Sequence, residues 1–143
     1  MNKFAKGFFE PKNPQKYIGT NRIQYKSSWE LSFMRFVDTN PSIQKWASEA
    51  IRIPYKDPLT GRNTIYVPDF FIQYVDKFGK MHVELIEIKP ASQTILERVG
   101  KNRVNQAQFI KNQAKWAAAR IWCQANGIQF RVICENDLFA QTK

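Results

Sequence analysis

Two carboxylates and a lysine in the 143-residue chain have the spacing that chemistry would need: Asp69 in Tyr66-Val-Pro-Asp-Phe-Phe71, and Glu87 and Lys89 in His82-Val-Glu-Leu-Ile-Glu-Ile-Lys-Pro90. Both stretches are rich in Val, Ile, Tyr and Phe, and the turn-forming Asp76-Lys-Phe-Gly-Lys80 lies between them, which predicts a β-hairpin. With the turn centred on Phe78, position i faces position 156 − i, so Asp69 falls opposite Glu87. Lys89, two residues beyond Glu87, shares that face. Directly opposed side chains lie about 4.5–5.5 Å apart at Cβ, where like charges repel, so the pairing calls for a cation between the carboxylates. Two hard oxygen donors beside a lysine suit Mg²⁺ and phosphate chemistry. The cation would offset the carboxylates, polarise a phosphoryl oxygen and acidify a water. Lys89 would hold or deprotonate the attacking water and offset charge in a phosphorane-like transition state. An ordinary hairpin with an exposed ion pair could carry the same charges. However, Pro68, Phe70 and Phe71 flank Asp69, and Ile86 and Ile88 flank Glu87, as suits a half-buried cleft.

The remaining elements have to position this hairpin. Ser27-Ser28-Trp29-Glu30-Leu31-Ser32-Phe33-Met34-Arg35-Phe36-Val37 predicts an amphipathic helix closed by Asp38-Thr39-Asn40-Pro41. Ser27 and Glu30 have capping-box spacing, which gives Glu30 a structural role. Glu30 also lies on the stripe of Phe33, Met34 and Val37, from which it could join the hairpin's carboxylates as a third acid. Ile43-Gln-Lys-Trp46-Ala is followed by a predicted short strand, Ile51–Tyr55, and by turn chemistry at 56–63. This strand and the central hairpin are expected to form a three-stranded antiparallel meander, with Trp46 in the core. Beyond Pro90 the chain is polar and basic as far as Asn105, a candidate loop or short helix that orders on DNA. From about Val104 a long helix is expected, with Ile110, Ala114, Ala117 and Ile121 as its inward stripe, joined by Phe109, Trp116 and Ala125, and with Asn126-Gly127 as its stop. Ile128–Cys134 alternates as a strand, which a helical crossover would set parallel to the strand of Glu87, and Glu135–Phe139 reads as a terminal turn.

Composition bounds the partners. Twenty-two Lys and Arg against twelve Asp and Glu leave a formal charge of +10 and a pI near 9.8. The surplus is spread along the chain, as suits a polyanion such as nucleic acid. Residues 1–26 read as a basic arm with six cations among aromatic and turn residues, and 27–143 as a single domain. Two cysteines without neighbouring ligands and a lone His82 argue against a disulfide scaffold, a zinc site and His-based catalysis. No run of about 18 apolar residues and no signal-peptide core occurs, so membrane partners are not expected.

The order Ser-Ser-Trp-Glu30, Ile53-Pro-Tyr, Val67-Pro-Asp69-Phe, Glu87-Ile-Lys89-Pro resembles the PD-(D/E)XK nuclease superfamily. Within it, the chain is similar to TnsA-type transposon endonucleases, and more so to the head completion proteins of T-even-like tailed phages, over about residues 22–122. The resemblance implies an α/β, restriction-endonuclease-like core, a mixed β-sheet flanked by helices. It also implies hydrolysis of phosphodiesters in double-stranded DNA with Mg²⁺, for which Mn²⁺ would substitute. Glu30, Asp69, Glu87 and Lys89 match the catalytic positions. Asp69, Glu87 and the Ile88 carbonyl would hold the metal, with Glu30 completing the acidic cluster directly or through water. Gln113 and Lys115 lie near a position where related nucleases carry a further polar residue. Lys16, Arg22, Lys26, Arg98, Lys101, Arg103, Lys111 and Lys115 are the candidate contacts to the phosphate backbone. Phage biology would place the protein in the host cytoplasm during assembly, or in the virion head, with the portal or other head completion proteins as partners. A structural DNA-end- or portal-binding protein without catalysis, and a Holliday-junction resolvase or restriction-like enzyme, are the alternatives.

Overall fold

The computed structural model describes residues 6–90 and 102–134. Its main sheet has four strands in the order β3 (Ile43–Ser48), β6 (Phe70–Val75), β7 (Met81–Ile88), β8 (Gln129–Ile133). β3–β6 and β6–β7 are antiparallel and β7–β8 is parallel, so the sheet is mixed. Helix α1 (Ser28–Thr39) and the long helix α2 (Arg103–Ala125) accompany it. The architecture is the restriction-endonuclease-like α/β core expected. β7 explains why the sheet centres where it does: Glu84 through Ile88 are all buried, as an interior strand flanked by two others must be.

The central hairpin has the expected register. Phe70 pairs with Ile86 and Val75 with Met81, each pair summing to 156. Asp76 Oδ1 accepts the backbone N–H groups of Phe78 (2.8 Å) and Lys80 (3.0 Å), and Gly79 takes the φ of +80° that the turn requires. Because side chains alternate, β7 sends Ile86 and Ile88 into one apolar cluster with Phe33, Met34, Val37, Trp46 and Phe70. Leu85 goes to the opposite face, into a second cluster with Tyr66, Trp116, Ala119 and Cys123.

Two expectations need correction. The meander does not form. β4 (Ile53–Lys56) pairs with β5 (Asn63–Tyr66) in a separate two-stranded hairpin, and β3 takes the place beside β6. β3 has the larger apolar surface to bury there: Ile43, Trp46 and Ala47 are all inside. The inward stripe of α2 is also different. Asn112, Trp116, Ala119 and Cys123 are buried, whereas Ile110 and Ile121 are 46% and 71% exposed. The true stripe is displaced by two positions, more than half a turn at 3.6 residues per turn. The Trp116 indole has the largest apolar area to remove from water, and small Ala119 and Cys123 in line with it allow close approach to the sheet. The helix stop is as expected, with Asn126 as C-cap and Gly127 at φ +68°. Of the expected loop, which runs as far as Asn105, residues 91–101 lie outside the described residues, as does the terminal turn at 135–139, whereas Asn102 caps α2 and 103–105 open it.

The first part of the chain is tied to the body. β1 (Gly7–Phe8) pairs with β2 (Gln24–Tyr25), Ile23 is buried in the first cluster, and Tyr17 forms a parallel bridge with Trp46. Asp38, 2% exposed near the end of α1, accepts the backbone N–H groups of Lys12 (2.8 Å) and Asn13 (3.0 Å). Its carbonyl accepts Asn13 Nδ2 at 2.9 Å and Lys16 Nζ at 3.0 Å. Removing the carboxylate would leave two amides without their acceptor, so Asp38→Ala should cost about 2–3 kcal/mol. A lowered urea midpoint, with new protease cleavage between residues 6 and 26, would show it.

Candidate active site

The hairpin register brings Asp69, just before β6, to the level of Glu87 near the end of β7. The Ile88 backbone N–H donates to Asp69 Oδ2 at 2.8 Å, which pins the aspartate to the strand that carries the glutamate. Glu87, 5% exposed, accepts the Tyr66 hydroxyl on Oε1 at 2.8 Å and has Lys89 Nζ 3.5 Å from Oε2. Lys89 holds its own backbone in place by donating its N–H to the Ile133 carbonyl of β8 at 3.0 Å. Asp69, Glu87 and Lys89 are therefore three groups on one surface, fixed by the two strands of one hairpin.

The electrostatics are those of acids crowded together. Burial pushes the Asp69 carboxyl well above the usual aspartate range, and the charges of Glu87 and Glu30 push it further. Although Asp69 retains some exposed surface, it is densely enclosed by protein, so the loss of solvation dominates. Burial raises Glu87 as well, and Lys89, Tyr66 and Lys115 oppose that rise. Glu30 is raised by burial first and then by Glu49 and Glu87. Burial holds Lys115 below the ordinary lysine value, and the neighbouring charge of Lys89 lowers it further.

Glu30 forms only half of the expected capping box. The Ser27 hydroxyl accepts the Glu30 N–H at 3.1 Å, as an N-cap should, while Glu30 Oε1 accepts the N–H of Lys26 (3.3 Å) rather than that of Ser27. It lies within electrostatic reach of Asp69 and Glu87. Among the described residues no three His, Cys, Asp or Glu side chains converge tightly enough to hold a metal between them. The close donor set is thus the Asp69 and Glu87 carboxylates, with the Ile88 carbonyl between Glu87 and Lys89 in the chain. These hard oxygens match a hard divalent cation, and the raised cost of ionising them is the condition such a cation relieves.

Two neighbours were not singled out by sequence reasoning. Tyr66 comes from β5, outside the main sheet, and nothing in its apolar surroundings marks it as more than a strand residue. Glu49 follows β3 at φ +52°, a left-handed conformation unusual for a non-glycine residue. Its N–H donates to the Asp69 carbonyl at 2.9 Å, and its carboxylate takes Lys26 Nζ at 2.7 Å.

The expected DNA-contacting cations are distributed unevenly. Lys26 is in electrostatic range of Glu30 and Asp69, and Lys115 of Glu87 and Lys89, so these two stand near the acids. Lys111 lies 3.6 Å from Asp57, Arg22 stacks over the Phe8 ring at 3.6 Å, and Arg103 opens α2. Lys16 donates to the carbonyls of Asp38 and Asn40, at 3.0 and 2.8 Å, and its ammonium is engaged in closing α1. Gln113 is on α2 two residues from Lys115, partly buried. Arg98 and Lys101 lie outside the described residues.

Comparison with known proteins places the chain in a family. The profile of the TnsA-like endonuclease N-terminal domain matches residues 40–135, a stretch that contains Asp69, Glu87 and Lys89 but not Glu30. The head completion nuclease of Enterobacteria phage T4 is 33% identical over 144 residues, covering 94% of this chain and 93% of the relative. On the strength of a match over most of its length, with the acid–acid–lysine constellation inside it, the chain belongs to the TnsA-like endonuclease family.

Proposed function

We propose that the chain is a divalent-metal-dependent DNA endonuclease that acts in phage head completion, on packaged DNA or its ends. The observation that carries this reading is the register of Asp69 against Glu87, with Lys89 3.5 Å from the glutamate. Asp69, Glu87 and the Ile88 carbonyl would hold Mg²⁺, or Mn²⁺ in its place, with Glu30 contributing charge from α1. Bound there, the cation would supply neutralising charge, polarise a phosphoryl oxygen and make a water more acidic. Lys89 positions that water on the face it shares with Glu87 and offsets negative charge as the phosphorus becomes five-coordinate. Lys26 and Lys115 flank the acids and draw the phosphate backbone toward them, joined by Arg22, Arg98, Lys101, Arg103 and Lys111 and, less directly, by Lys16. Such contacts grip phosphates and read no bases.

The relation to the T4 head completion nuclease supports double-stranded DNA as the substrate and assembly in the host cytoplasm as the setting. The portal or other head proteins are the partners this reading implies.

Incubation with supercoiled plasmid in Mg²⁺, Mn²⁺ or EDTA tests the proposal. Nicking or linearisation should require the metal. It should vanish in Asp69→Ala and Glu87→Ala, and fall by roughly 10²–10⁴-fold in Lys89→Ala, while all three variants still shift DNA in a salt-sensitive manner. Cleavage retained by Asp69→Ala and Glu87→Ala would refute it, and metal-free DNA binding without any cleavage would favour a structural end-binding role. The raised carboxyls also fix the sign of the pH response. These acids must be ionised to hold the cation, and they gain protons at a higher pH than ordinary carboxylates. At Mg²⁺ concentrations below saturation, where the metal-free carboxyls set the response, single-turnover cleavage should therefore decline on acidification along a limb centred above the usual carboxylate values of about 4. A rate unchanged down to that value would contradict the assignment.

A further inference from the structure

The separate hairpin β4–β5 adds nothing to the main sheet, yet it ends on Tyr66, whose hydroxyl reaches Glu87 on β7. We infer that Tyr66 is a positioning residue: by donating its hydroxyl to Oε1, it fixes the rotamer of Glu87 and turns Oε2 toward Lys89 and the proposed metal. The inference rests on the reading of Glu87 as a metal-holding carboxylate and goes beyond it.

A glutamate on a strand has three rotatable side-chain bonds, and a 3.5 Å contact to a flexible lysine does not hold it in one orientation. Tyr66 can do so because it is itself immobilised. It is 4% exposed, and its backbone is paired with Ile53 in the β4–β5 hairpin. Its ring meets Phe130 edge-on at 6.4 Å, and Lys115 Nζ lies 5.7 Å from the ring centroid. A phenol in this position can only donate to an ionised carboxylate, so one oxygen is held by Tyr66 and the other is left to Lys89 at 3.5 Å. Partners that orient a metal's ligands in this way typically matter by about 10–100-fold in affinity or rate.

The fold contains its own comparison. On the opposite face of the sheet, Tyr74 donates its hydroxyl to Glu84 Oε2 at 2.6 Å. There the other oxygen is already engaged, 3.0 Å from Arg131 Nε. Glu84 thus has a hydrogen bond on one oxygen and an ion pair, without the geometry of a hydrogen bond, on the other, both to structural partners, and loss of the tyrosine hydroxyl should have no consequence for metal binding. The two tyrosine–glutamate pairs differ in what their second oxygen faces, which separates positioning from simple hydrogen bonding.

Mn²⁺ titration by calorimetry of the full chain, wild type beside Tyr66→Phe and Tyr74→Phe, tests this. Tyr66→Phe should weaken Mn²⁺ binding by about 10–100-fold and lower kcat to a similar extent. KM for plasmid and DNA affinity in EDTA should stay as in wild type, and so should the unfolding temperature to within a few degrees. Tyr74→Phe should match wild type in Mn²⁺ affinity. Equal Mn²⁺ affinity in wild type and Tyr66→Phe, or equal weakening in both variants, would overturn the inference while leaving the metal reading intact. Absence of saturable Mn²⁺ binding in wild type would overturn the metal reading and this inference with it.

Discussion

The structure depends on a repulsion. Asp69 and Glu87 are brought level by the hairpin register, one enclosed and the other buried, and burial together with the charge of Glu87 raises the cost of ionising Asp69. Folding alone would not place them so: an Asn or Gln at either position would relieve the strain without loss of shape. The arrangement makes sense if a cation is meant to resolve it, because a hard divalent ion gains most where oxygen donors are desolvated and crowded. The fold supplies only partial relief by itself, through Lys89 at 3.5 Å, the Tyr66 hydroxyl and the Ile88 amide.

Much of the rest of the fold serves to keep these groups in place against that repulsion. β7 is interior, with β6 on one side and β8 on the other, so its backbone cannot shift to separate the acids. The first apolar cluster fixes α1 on one face and so fixes Glu30 near the site. The second cluster, on the other face, holds Tyr66 beneath α2 through Trp116. Lys26 is drawn in from the basic arm by Glu49, whose left-handed backbone turns the chain after β3 toward Asp69. Strained backbone beside such a site is where conformational energy tends to be stored.

How much of this could be read from the sequence depended on whether the signal was local. Alternation and a well-marked turn fixed the hairpin register by counting, and with it the pairing of Asp69 with Glu87. The N-cap at Ser27 and the stop at Asn126-Gly127 were equally local. The phase of α2 was not, because Ile110, Ala114, Ala117 and Ile121 form as regular a stripe as the one that is buried. Only the position of Trp116 against the sheet decides between them. Partner choice among strands was also hidden, since β3 and β4 are both short and apolar and compete for the edge of β6. Tyr66 escaped notice for the same reason, because its role exists only once the β4–β5 hairpin has folded away from the sheet and over Glu87.

The most direct test is the unfolding temperature of wild type and Asp69→Asn at pH 8, each in EDTA and in Mg²⁺. A carboxyl whose pKa is raised on folding contributes stability at low pH that is lost as the pH climbs through the raised value. In EDTA at pH 8 the neutral variant should therefore melt higher than wild type, at roughly 4 °C per kcal/mol for a chain of this size. Mg²⁺ should raise the wild type and leave the variant unmoved. A wild type that already melts above Asp69→Asn in EDTA, and that Mg²⁺ does not stabilise, would contradict the claim that this acidic pair is built for a cation.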